Sequence, residues 1–149
     1  MTPMQQALHQ AKCAISHNEV PVGAVLVHND KIIAKAHNQC ISDQNPLHHA
    51  ELIVISKGFY HLQTLYLNDC TLYVTLEPCP MCAAAIAQAR VGKLVFGAYD
   101  PKSGGVDHGP KIFDHSHHKP EVIGGMLENE CAALMTDFFK DKRECNLNP

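Results

Sequence analysis

The segment from residue 71 to residue 98 restricts the fold of this chain more than any other. Residues 71–76 (TLYVTL) are rich in β-branched and aromatic side chains and read as a buried strand. Glu77-Pro78 closes that strand, and a helix is expected at once over 79–89. Residues 93–98 (KLVFGA) read as a further buried strand. Strand, helix and strand in this order make a crossover unit whose two strands lie parallel in one sheet. An α/β domain is therefore expected.

The other elements are arranged around this unit. Met4, Leu8, Ala11 and Ile15 recur at helical spacing and define an amphipathic first helix ending near His17-Asn18. Residues 22–27 and 31–36 form a hairpin across a tight Asn29-Asp30 turn. Residues 38–46 are polar and form a loop, and Pro46 disfavours helix at Asn45. Residues 49–59 are helical, with Gly58 near the end. Residues 99–120 carry three glycines and three prolines and form a long loop, with one short helix over 111–115. A short strand at 121–123 leads to a final helix marked by Leu127, Cys131, Leu134, Met135 and Phe138, and a polar tail begins at Arg143. His108, His115, His117 and His118 are read as a solvated, flexible loop, because no cysteine joins them and no helix sets their spacing.

The chemistry-bearing residues sit at the start of two of these helices. Cys79 and Cys82 are three apart, so both sulfurs can face one metal ion. A Cys-x-x-Cys pair alone is equally a redox pair, half of a structural zinc site, or part of a catalytic one. His49-Ala50-Glu51 upstream changes the balance. Two thiolates and one imidazole give Zn²⁺ three protein ligands and leave its fourth position open, as in catalytic sites. His-x-Glu followed by Pro-Cys-x-x-Cys is the signature of zinc nucleobase deaminases, in which the carboxylate moves protons and binds no metal. His49 and Glu51 would point to nearly opposite sides of a regular helix, so both must lie in its first turn. His48 would give the wrong spacing and is read as a neighbour of the site. At the helix start the macrodipole favours the thiolates.

Composition narrows the setting. The 149 residues suffice for one domain, expected to span 1–149 as a single deaminase unit. Residues 1–15 hold no apolar run, so neither a signal peptide nor a membrane span is expected there. Seven cysteines, an odd number, suggest free thiols and a reducing, cytoplasmic home, with Cys13 and Cys131 in the core. The net charge of −3 gives no global signal for nucleic acid. From Pro101 onward six Lys/Arg face eight Asp/Glu, so any RNA affinity must rest on local patches.

With these residues in place, the chain resembles the bacterial tRNA-specific adenosine deaminases of the cytidine-deaminase-like superfamily. The likeness runs through Glu19-Val20-Pro21-Val22-Gly23-Ala24-Val25, Asn38, His49-Ala50-Glu51 and Leu72 to Cys79. It continues through Val95 to Ala98, Asp100-Pro101-Lys102-Ser103-Gly104 and Glu130 to Leu134. The zinc motif belongs to the whole superfamily, whereas the segment from Phe96 to Gly104 and the ending Asp137-Phe138-Phe139-Lys140 resemble the tRNA branch. The resemblance implies a three-layer α/β/α domain around a mixed five-stranded sheet. It implies one Zn²⁺ per subunit on His49, Cys79 and Cys82, Glu51 as the catalytic proton carrier, and a homodimer. Its substrate would be a tRNA anticodon stem-loop, with adenosine at the wobble position converted to inosine. Asn38 resembles a residue that bonds the base, Asp100 one that touches the RNA backbone, and Phe139 an aromatic of the anticodon-binding wall. The stretch between Gly105 and Val122 and the short tail depart from the family pattern.

Three rival readings keep some of these residues. A deaminase of free guanine, cytosine or a nucleoside such as cytidine would use the same metal centre. A zinc-stabilised RNA-binding module would need no Glu51, and a thiol oxidoreductase would hold no tight zinc.

Overall fold

A computed structural model describes residues 1–147. Five strands form one mixed sheet in the order β2-β1-β3-β4-β5. β1 (Gly23–His28) pairs antiparallel with both β2 (Lys31–His37) and β3 (Cys70–Leu76). β4 (Lys93–Ala98) and β5 (Glu121–Ile123) continue the sheet in parallel. The parallel pairing of β3 with β4 is the one expected from the crossover.

Alternation along the strands builds a core on each face. Ala24 and Leu26 of β1, Leu72 and Val74 of β3, and Leu94 and Phe96 of β4 point to one side. There they meet Val54 and Ile55 of α2 (Ala50–Leu62) and Ala83 and Ile86 of α3 (Pro80–Gln88). Val25 and Val95, between them, point to the other side. They meet Met4, Ala7 and Leu8 of α1 (Pro3–Ile15) and Cys131 of α4 (Glu128–Leu147). The result is the expected three-layer α/β/α architecture.

Local chemistry sets the element ends. Thr2 and Gln5 form a reciprocal capping box before α1, with Pro3 at its first position. Asn29 and Asp30 both adopt positive φ, 50° and 62°, which gives the β1–β2 turn the twist that a two-residue hairpin needs. α1 lies so close to β1 that a Cβ on Gly23 would stand 2.0 Å from the Ala7 carbonyl oxygen.

Several expectations need correction. α2 runs beyond Phe59 to Leu62, because Gly58 packs on Leu26 rather than ending the helix; Gln63 ends it in the left-handed region. α4 continues through the polar stretch after Arg143 to Leu147, and residues 148–149 lie outside those described. Cys13 is only half-buried, whereas Cys70 at the start of β3 is in the core together with Cys131. His108 and His118 are not solvated loop residues: each bonds to the body of the domain, His108 to Glu77 and His118 to the Val91 carbonyl. Among the described residues, no helix is long and apolar enough to cross a membrane.

Candidate metal centre and substrate cavity

The crossover places the starts of α2 and α3 beside each other. His49 is the residue before α2, and Cys79 the residue before α3, both with extended backbone. Cys79 thus stands just outside its helix, while Cys82 lies inside the first turn. Neither His49 nor Cys79 caps its own helix with its side chain. That role at α2 falls to Asn38 at the end of β2, whose Oδ1 accepts the Ala50 N–H at 2.8 Å. At α3, Pro80 occupies the first turn and has no N–H to satisfy. Both would-be caps are therefore free to face each other.

His49 Nδ1 lies 3.6 Å from Cys79 Sγ and 3.5 Å from Cys82 Sγ. Tetrahedral zinc with usual Zn–S and Zn–N bonds would hold such a pair about 3.6 Å apart. The donor set and its spacing fit zinc. Among the described residues, this is the one group of three or more His, Cys, Asp or Glu side chains close enough to share a metal ion.

The electrostatics of the metal-free site point the same way. Cys79 loses its proton readily, first because the Cys82 thiol donates to it and further because His49 does. Cys82, holding that hydrogen bond and buried, keeps its proton to higher pH than an ordinary thiol. His49 is raised, first by its bond to Cys79. Bringing a cation here would release the Cys82 proton and complete the ligand set.

Glu51 lies in the first turn of α2 and is buried. Burial pushes its carboxyl up from 4.5 to about 7. Among the described residues, its Oε1 is the only buried side-chain N or O atom without a hydrogen-bond partner. Such an orphan in a native site signals a missing partner, either an ion, a water or a substrate.

A cavity of about 260 Å³ is lined by Asn38, Cys40, His49, Glu51 and Cys79 together with Asp100, Ser103 and Met135. A second groove, about 560 Å³, adjoins it and shares Leu76, Asp100, Ser103 and Met135. Phe139, Tyr99, Lys102 and Arg143 line only this outer groove. The structure therefore brings Asn38 and Asp100 to the cavity with His49, Cys79 and Glu51, while Phe139 lines only the adjoining groove. His48 is turned away, paired with Asp43 at 2.7 Å.

Two buried carboxylates that hold the cavity walls lie in the stretches that carry the family likeness, but sequence analysis assigns neither a role. Glu19 accepts from the Ile41 N–H and from the Ser42 N–H and hydroxyl, fixing the loop after Asn38. Burial raises its pKa, but those bonds outweigh it and leave the group lowered. Glu77 accepts from the loop after β4 and is lowered in the same way, burial being outweighed by N–H and imidazole donors. The signal available in sequence was weak: each is a lone acid beside an apolar strand, next to a loop rich in backbone donors.

Comparison with known proteins adds the following. A family model of the MafB19-like deaminases matches residues 1–143. The tRNA-specific adenosine deaminase of Bacillus subtilis is 46% identical over 95% of this chain and 89% of its own length. A solved structure from work on A-to-I editing by tRNA:A34 deaminases is 42% identical, with a TM-score of 0.87, covering 89% of this chain and 97% of that one. The guanine deaminase of Nitrosomonas europaea is 21% identical with a TM-score of 0.80, over 91% of this chain and 82% of that one, a likeness of fold alone.

Proposed function

Because this chain belongs to the MafB19-like deaminases, and within them to the tRNA-specific adenosine deaminases, we propose that it converts adenosine at the wobble position of a tRNA anticodon to inosine. The observation that carries the chemistry is the orphaned, buried Oε1 of Glu51 beside the His49, Cys79 and Cys82 donors. These three residues would hold one Zn²⁺ as part of a single deaminase domain over residues 1–149. Zinc bound there supplies a Lewis acid that makes water nucleophilic near neutral pH.

The chain's own groups do the rest. The reaction adds water at C6 of adenine and releases ammonia. Glu51 Oε1 takes a proton from the attacking water and passes it to ring N1. The same oxygen then takes the remaining proton from the hydroxyl added at C6 and hands it to the amine, which departs as ammonia while the C6 carbonyl forms. A carboxyl that burial pushes up from the usual acid range suits both transfers, since it takes a proton more readily than an exposed carboxylate. Asn38 Oδ1 is spent on the Ala50 N–H, which fixes the amide plane and leaves its Nδ2 to donate to the base. Asp100, held by the Ser103 N–H on its Oδ1, meets the RNA where cavity and groove join. Phe139 offers a ring face in the outer groove for a neighbouring base.

The enzyme acts as a homodimer on an anticodon stem-loop, in the cytoplasm. All seven cysteines are unpaired thiols, which suits a reducing compartment. The deciding assay compares kcat/KM for a stem-loop carrying wobble adenosine with that for free adenosine, cytidine, cytosine and guanine. The stem-loop is expected to win by orders of magnitude. Faster turnover of any free base or nucleoside would leave a zinc deaminase of another substrate.

A further inference from the structure

Glu77 belongs to two parts of the site at once. By covalent connection it stands two residues before Cys79, in the turn that presents the metal donors. Its side chain, fully buried, is bound entirely to the loop after β4. Oε1 accepts the Asp100 N–H at 3.0 Å and His108 Nδ1 at 2.8 Å. Oε2 accepts three successive backbone N–H groups, those of Val106, Asp107 and His108, at 3.2, 3.0 and 3.0 Å. Successive N–H groups converging on one point form an anion-binding concavity, and here the occupant is the chain's own carboxylate. Five donors use all the acceptor capacity of an ionised carboxylate, so none remains for proton transfer to a substrate.

The loop is shaped to fit this anchor. A Cβ on Gly104 would stand 2.4 Å from Glu77 Oε2, and one on Gly105 would stand 2.6 Å from the Pro80 nitrogen. The Gly105 N–H also donates to the Pro78 carbonyl at 2.8 Å. The loop therefore lies directly on the turn that carries Cys79. Asp100 is fixed from both sides, by Glu77 through its N–H and by Ser103 through its Oδ1. Asp100 and Ser103 line both the cavity and the groove. His108, which lines neither, closes over Glu77 from the outside with its ring edge-on to Tyr99.

We propose that Glu77 is a positioning residue for RNA turnover, with His108 as its outer clamp. It sets the distance between the metal donors and the Asp100 wall of the substrate cavity, and it acts through Asp100. This inference rests on the role of Asp100 given above. Displacing a positioning group by about 1 Å commonly costs about 10²-fold in rate, which is the scale expected here.

The test uses zinc-loaded full-length protein carrying Glu77→Gln or His108→Ala, each alone and with Asp100→Ala. Gln keeps the size of Glu77 but turns an N–H₂ toward backbone donors. His108→Ala removes one bond, leaves the backbone donors in place, and serves if Glu77→Gln fails to fold. Zinc content, kcat and KM on an anticodon stem-loop, and amide hydrogen exchange over residues 100–108 are measured. Glu77→Gln is expected to keep zinc, to speed exchange at Asp100, Val106, Asp107 and His108, and to lower kcat/KM by about 10²-fold. His108→Ala is expected to show the same pattern at about 3- to 10-fold. In the Asp100→Ala background each further loss should shrink to below about 3-fold, since residues acting through one contact are not additive. Activity lost only in proportion to zinc, unchanged exchange, or fully additive losses would overturn the proposal. Normal turnover by Asp100→Ala alone would overturn the route through Asp100. A wild-type protein inert on the stem-loop would instead refute the proposed substrate, and the exchange measurement would still judge the anchor.

Discussion

Replacing Glu51 by Gln should separate what this residue does for stability from what it does for turnover. In the metal-free protein the carboxyl is moved from 4.5 to about 7, mainly by burial. An acid raised in this way binds more protons folded than unfolded at intermediate pH, so stability falls as pH rises. Its contribution is intact below about 4.5 and lost above about 7. At 1.36 kcal/mol per pH unit, the full cost at high pH is about 3 kcal/mol. Linkage over the range from about pH 5 to about pH 8 puts most of that within reach of measurement. Gln does not ionise and escapes the penalty. Urea unfolding of metal-free wild type and Glu51→Gln at both pH values should show the variant gaining about 2–3 kcal/mol on wild type between them. The same variant, loaded with zinc, should bind metal normally and lose at least about 10²–10⁴-fold in turnover. A stability difference flat with pH would refute the buried, proton-holding carboxyl. Near-normal turnover in the loaded variant would refute the proton carrier.

Further outcomes test other parts of the site. Cys79→Ser and Cys82→Ser should each lose zinc and lower Tm, because metal binding and folding are coupled; elemental analysis and thermal scans decide it. Asn38→Ala should strand the Ala50 N–H and cost about 1 kcal/mol in denaturant unfolding, while kcat/KM falls and zinc stays. Gly23→Ala would drive a methyl into the α1 backbone and should destabilise by about 1–3 kcal/mol or more with the metal centre unchanged, read by urea unfolding and zinc content.

Much of this protein follows from local pattern. The alternation in residues 71–76 and 93–98, the helix between them and the right-handed crossover that such a unit makes leave two parallel strands as the outcome, and β3 and β4 pair so. The Asn29-Asp30 turn needs only the tolerance of those residues for positive φ. The metal donors were legible because zinc demands particular atoms, and only His, Cys and acidic side chains supply them. Helix ends were less legible. α2 and α4 run past their expected limits because an end depends on what the last turn packs against, and Gly58 is covered by Leu26. Burial of single cysteines was decided by tertiary packing too: Cys70 sits inside at a strand start, while Cys13 sits on the half-exposed side of α1. The same holds for the acids that build the site. Glu19, Glu51 and Glu77 are all buried, yet they differ in partners: loop donors for Glu19 and Glu77, an unpartnered oxygen for Glu51. A sequence states that a carboxylate is present and where along the chain it lies. Whether it becomes an anchor or a proton carrier depends on how many N–H groups the fold aims at it, and those come from residues more than twenty positions away.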